Sequence, residues 1–394
     1  MKHRAILSIF LMAVLVLPVF AQDKVAMPSL SMPTASASGF GGHHIAYTDN
    51  VFSLLVNPAA IVRTNQNSIF SVSASVFSPQ ATFGLIKPVM SMIKGDASAL
   101  GDMAQILSDQ NGRIVLGLSI NELPLSIAWV ANGFGFGLWN RTYANVTIDG
   151  TTLIVDAYED IMLPIGFGFK VFDFGGMTLD AGVTLKPFAR ALLSTDPVEI
   201  SSLASTDLMG GLNVPVIAGG ALDLGFMFRW GGLRAGFTFN DIFSMGRVVY
   251  NLLGEPDTNQ YYFPFTMNLG VAYELKLFGF MNLAVAADWH NIMNMFKQGD
   301  YLNTRNFMLD FSLGAQVTFF KFLYARVGIN EMLPAAGIGV HLGWLKIDLA
   351  YYGKEFGYEP GQRSAAVLEL SISFRPDSKV RDWAWSRRPI FGGK

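Results

Sequence analysis

The chain has 394 residues, 51% hydrophobic and 15% charged, with 28 Lys and Arg against 30 Asp and Glu, 40 Gly, 32 Phe and no Cys. A soluble domain carries about 25% charged residues, so the composition excludes an ordinary cytosolic enzyme, and a net charge of −2 leaves no basic footprint for nucleic acid. Without Cys there is no disulfide framework, thiolate nucleophile, Cys-ligated zinc or lipid-modified N-terminal Cys.

Lys2 and Arg4, the apolar run Ala5 to Phe20, and Ala21 ahead of Gln22-Asp23 read as a cleaved export signal over residues 1–21. Nothing later in the chain is long and apolar enough for a membrane helix; the hydrophobicity is spread out. Residues 22–67 are rich in Ser, Pro, Gly and Ala and lack periodicity. They contain one apolar stretch, Val51 to Ile61, with Asn57-Pro58-Ala59 near its end. Exposed to water such a stretch is a liability; inside a barrel it is a plug.

Residues 68–374 alternate. Leu309, Phe311, Leu313, Ala315, Val317 and Phe319 lie between Asp310, Ser312, Gln316 and Thr318, and Leu345, Ile347, Leu349 and Tyr351 flank Lys346 and Asp348. Successive strand side chains face opposite ways, so these are strands with one greasy face and one wet face. The large residues crowd one face, and Gly, Ala, Ser, Thr and charges the other. A confined interior takes the small set, which turns the bulky set outward to lipid.

The periodicity predicts strands near 68–77, 112–131, 134–145, 160–171, 177–190, 217–228, 232–241, 265–277, 281–290, 306–319, 323–330, 336–342, 344–352 and 365–374. Read as a turn, Asn121-Glu122-Leu123-Pro124 would make fifteen strands; an even count, expected when both barrel ends lie on one side, favours a bulge there. Short connections such as Asn132-Gly133 and Gly343 fall on one side, and long ones, including 78–111, 146–159, 191–216 and 242–264, on the other. The expectation is an all-β transmembrane antiparallel β-barrel of about fourteen strands, with an N-terminal plug (hatch) and a helix in the first long loop. That helix is suggested by Pro88 ahead of Val89, Ile93, Ala97, Leu100, Ala104 and Leu107. Residues 375–394 form a periplasmic tail.

The Asn57-Pro58-Ala59 stretch followed by a fourteen-strand barrel resembles the FadL-like outer-membrane proteins, which import long-chain fatty acids and other hydrophobic compounds. Gly133 to Gly137 and Asn240-Asp241-Ile242-Phe243 look like segments of that family's divergent spirochaete relatives. The resemblance implies that residues 22–67 are the hatch closing the periplasmic side and that the loop helix gathers oily ligand. The last strand, Leu368 to Phe374, resembles the terminal strand that barrel-assembly machinery recognises.

Trp139 and Arg141 on one strand and Phe188 and Arg190 on another face the lumen near its outer end, where an aromatic beside a guanidinium could hold an alkyl chain and pair its carboxylate. Interior packing and charge satisfaction under the loops is the more ordinary role for such residues. The other lumen charges are mixed in sign and expected to neutralise one another. Asp288 and His290 share an inward face as an acid–base pair would, but no Gly-x-Ser-x-Gly segment supplies a nucleophile; His43-His44 lacks a spaced third metal ligand. The reading is an outer-membrane channel for hydrophobic molecules, passive or ligand-gated, with membrane lipids and a hydrophobic small molecule as partners and no cofactor or catalysis. The rivals are a docking platform using Trp383, Trp385 and Arg387-Arg388, and a general porin.

Overall fold

The computed structural model describes residues 24–48, 50–80, 83–84, 113–194, 198–199, 213–253, 258–297 and 305–375. The export signal, the loop-helix candidate and the tail beyond Arg375 lie outside the described residues.

Fourteen strands close into one antiparallel barrel. They are β1 (Asn65–Ser68, resuming as Phe70–Phe77), β2 (Arg113–Ala131), β3 (Phe134–Asp149), β4 (Thr152–Met162, resuming as Ile165–Phe174), β5 (Met177–Ser194), β6 (Pro215–Trp230) and β7 (Leu233–Asn251). The second half comprises β8 (Thr266–Phe278), β9 (Met281–Trp289), β10 (Phe311–Phe319), β11 (Leu323–Asn330), β12 (Leu333–Leu342), β13 (Leu345–Glu355) and β14 (Ser364–Phe374). The seam joins β14 to β1, with Phe374 opposite Phe70 and Val367 opposite Phe77. Pro164, which has no N–H, interrupts β4; there Pro164 O accepts from Gly137 N and Leu163 N donates to Pro187 O, both at 2.9 Å.

Leu349 is 41% exposed on the outer face while its neighbour Asp348, turned inward, is 5% exposed. The same split separates Leu370 from Ser371 and Leu313 from Ser312. Phe174, Trp230, Phe278, Phe320 and Trp344 stand exposed around the short-turn end, several in ring contact: Phe280 with Phe320 at 5.4 Å, Trp344 with Phe374 at 5.0 Å. An aromatic girdle bordering an apolar band is the surface of a transmembrane barrel.

The bulge in β2 stands: register shifts between Asn121 and Ser126, with Glu122 at φ 65°. Several segments expected as loops are strand instead. Residues 146–159 form a hairpin in which Asp149 faces Thr152 across Gly150 at φ 65°, and β5 and β7 run on to Ser194 and Asn251. Their side chains alternate more weakly because they stand beyond the apolar band. In the other direction, β10 begins at Phe311: Asn306 accepts from Met308 N and caps a 3₁₀ turn over Phe307–Asp310, which buries Leu309 at 2% exposure.

Residues 24–64 fill the lumen. Lys24–Ala26 pairs in parallel with Gln260–Tyr262 at the long-loop end. The chain then descends through helix α1 (Ala35–Gly39), helix α2 (Ser53–Val56) and a 3₁₀ turn over Pro58–Val62, and enters β1 opposite Ala131 at the short-turn end. The barrel wall carries glycine at several points where the backbone of this segment comes closest. A Cβ on Gly182 would stand 2.2 Å from Pro58 O, and one on Gly314 1.9 Å from Phe40 O. Gly182→Val is therefore expected to unseat the plug at about 1–3 kcal/mol, seen as a lower thermal midpoint and new trypsin cleavage at Arg63. Gly220→Ala, where a Cβ meets nothing within 4 Å, should leave both unchanged.

Candidate functional site

Asn57 sits at the centre of the plug, fully buried. Its side-chain oxygen accepts from Ala59 N at 3.0 Å and caps the 3₁₀ turn, in which Pro58 needs no donor. Its Nδ2 donates to Ile45 O at 3.1 Å and to Phe226 O on β6 at 3.3 Å. One amide thus joins two plug segments to the wall, and Pro58 and Ala59 pack on Gly182.

Trp139, Arg141, Phe188 and Arg190 all face the lumen and are buried. Asp160 on β4 pairs in register with both Arg141 and Arg190. Arg190 clasps Asp160 through Nε at 2.5 Å and Nη2 at 2.8 Å, and its Nη1 donates to Pro28 O at 2.7 Å. Arg141 donates to Ser31 Oγ at 2.8 Å and stands over the Tyr143 and Tyr158 rings. Trp139 meets Phe52, and Phe188 meets Phe263. Three of the four thus hold the plug, Arg190 at Pro28, Arg141 at Ser31 and Trp139 at Phe52.

Several of the other lumen charges pair with one another. Lys186 bridges Asp223 and Asp241 at 2.7 Å each; Asp180 receives Arg63 and Arg229; Arg326 meets Asp348 at 2.6 Å. Asp288 is hydrogen-bonded to the plug. Its carboxylate takes His44 Nδ1 and, at 2.9 Å, Ile45 N, while His44 Nε2 faces Phe40 O at 2.9 Å. Through both ring nitrogens His44 latches the plug to β9. His290 lies 3.4 Å from Ser312 Oγ.

Two bulges deliver polar groups that periodicity conceals. Asp241, at φ 56°, turns inward directly after Asn240, and Glu122 turns inward directly after Asn121, where Arg375 meets it at 2.7 Å.

Among the described residues, cavities border the plug at both ends. The one at the short-turn end, about 250 Å³, is polar, with Gln316, Arg326, His341, Lys346 and Asp348 in its wall. The one at the long-loop end, about 300 Å³, is walled by Leu30, Met32, Ile45, Phe52, Leu55 and Val56, with Asn240, Thr266, Asn268, His290 and Asn291 opposite. His43 borders both, on a stretch that begins with Gly41 and Gly42 at φ 92° and 121°, and its Nε2 donates to Met32 O at 2.9 Å. Of this wall, the sequence singled out Asn240 by resemblance, Phe52, Leu55 and Val56 as part of an apolar stretch, and His43 and His290 as histidines, without bringing them together; Leu30, Met32 and Ile45 carry no periodic signal.

Burial lowers His43 from the ordinary 6.5 to about 4. Between those values the unfolded chain takes up a proton that the folded one refuses, so this group's contribution is intact above pH 6.5 and is lost as the pH falls toward 4. His43→Gln should shrink the drop in thermal midpoint between pH 7.5 and 4.5. Arg190→Leu, which leaves Asp160 buried and unpaired, is expected to destabilise by about 3–5 kcal/mol, and adding Asp160→Leu should recover most of it in thermal unfolding.

No protein-family model matches the sequence, and no curated protein sequence does. Among solved structures, the chain is similar to a mutant of the TodX monoaromatic hydrocarbon channel, at 12% identity and a TM-score of 0.50, with 88% of this chain and 99% of that one covered. The Pseudomonas putida toluene transporter TodX follows at 12% identity and 0.46, covering 89% and 99%, and a Pseudomonas aeruginosa FadL homologue at 12% and 0.43, covering 90% and 100%. The first of these likenesses establishes that the chain shares its barrel fold with a hydrocarbon channel.

Proposed function

We propose that the protein is an outer-membrane channel for hydrophobic compounds, long-chain fatty acids among the candidates, acting by passive or ligand-gated diffusion. The observation that carries this reading is the apolar cavity beneath the long loops, separated by plug residue His43 from a polar cavity at the opposite end. A permanently open aqueous pore has no use for a wall of Leu, Met, Ile and Phe, whereas an oily molecule leaving the outer leaflet does. In this scheme the outer loops gather the molecule and the apolar cavity holds it. Displacement of the plug, or a gap between strands, then releases it. The lumen charges and the Asn57 amide keep the plug seated between passages.

The plug can be tethered because the chain has no Cys. A Cβ on Gly168 would lie 3.5 Å from Ile61 Cβ, within disulfide reach. Ile61→Cys/Gly168→Cys, with Val62→Ala for room, should take a labelled long-chain alcohol into proteoliposomes when reduced and lose uptake when oxidised. Uptake unchanged by oxidation would discard exit past the plug in favour of a route through the wall, and sugars entering as fast as the alcohol would replace the reading with a porin.

A further inference from the structure

We infer that the cavity at the long-loop end selects uncharged molecules with a hydroxyl-type head, and discriminates against carboxylates. This rests on the channel reading above and narrows the cargo of the same site. Among the described residues in the cavity wall there is no Lys, Arg, Asp or Glu. The charges behind it stand outside that wall and are held from it, partly by the wall itself: Ser31 accepts from Arg141 Nη1 and Ser29 donates to Asp241 at 2.9 Å. Arg190 is taken by Asp160 and Pro28 O, and Lys186 by two aspartates. A carboxylate entering here would give up its hydration without meeting a cation among the described wall residues, which is costly against an apolar surface.

The polar side of the cavity offers neutral groups instead. Asn240 Oδ1 and Asn291 Oδ1 are both buried without a hydrogen-bond partner. His43, whose Nε2 is committed to Met32 O, keeps an unprotonated Nδ1 that can only accept. Buried amide oxygens left unmatched are costly, and a bound donor relieves them. A hydroxyl both donates and accepts, so it satisfies an amide presented by either end. The six apolar side chains across the cavity then take the hydrocarbon body, and the volume suits the small end of ordinary ligand pockets, roughly 300–1,000 Å³.

The test compares 1-octanol with octanoate at pH 8 by titration calorimetry on the full chain in nanodiscs, with empty nanodiscs subtracted. Octanol is expected to bind at least tenfold more tightly than octanoate. Asn240→Leu/Asn291→Leu should weaken octanol at least fivefold, Val56→Trp should abolish it, and Asn240→Arg should raise octanoate affinity. Thermal unfolding of each variant reports its fold, and the wild-type comparison needs no variant. Octanoate binding as tightly as octanol overturns the inference and leaves the channel reading in place. Binding of neither compound overturns both.

Discussion

A backbone that crosses hydrocarbon must find every hydrogen-bond partner within the protein, because an unpaired N–H or C=O there costs several kcal/mol. In this chain the requirement is met by joining β14 to β1, and the rest of the architecture follows from that closure. A closed wall has an outer face that meets lipid and an inner face that meets only what the chain puts there. The inner face is lined by glycine, small polar residues and paired charges, and the chain fills the enclosed volume with its own residues 24–64.

The filling explains the glycine content better than strand geometry does. Gly182, Gly225 and Gly314 occupy inward positions where the plug backbone or the Asn57 side chain comes closer than a Cβ would allow. The wall was shaped around the segment, and the charges were arranged for it too. Arg190, Arg141, His44 and Arg63 all link plug to barrel or brace the wall beside it. Such pairs contribute little net stability relative to apolar packing, but each fixes the plug in one position because a displaced partner would leave a buried charge exposed to low dielectric.

The barrel was legible because alternation is a strong signal wherever one face meets lipid: Leu345 to Tyr351 or Phe311 to Phe319 can be read directly as wall. Legibility fails in three physical circumstances. Above the apolar band, as at 146–159, both faces are wet and the alternation fades although the ladder continues. At a bulge such as Glu122 or Asp241, one extra residue sends two neighbours inward, which no fixed period describes. Phe307 and Leu309 keep the period by coincidence within a capped 3₁₀ turn. The candidate site was harder still. Arg141 and Arg190 were correctly placed in the lumen, but what they touch depends on residues 28–31, whose path through the barrel leaves no trace in local sequence. Asn57-Pro58-Ala59 was visible because a cap and a proline must be adjacent to start the turn.

The plug runs from the long-loop end down to β1, and β1 is one lip of the seam. A segment held at its far end by Gln260–Tyr262 and at its near end by β1 is ill suited to late threading through a finished cylinder, since its helices and the Asn57 junction would have to form inside walls already fixed. The simpler order of events has the ribbon β2 to β14 curl around residues 24–64 before β1 zips against β14. Assembly would then finish where the chain began, with the stopper in place before the bottle is blown.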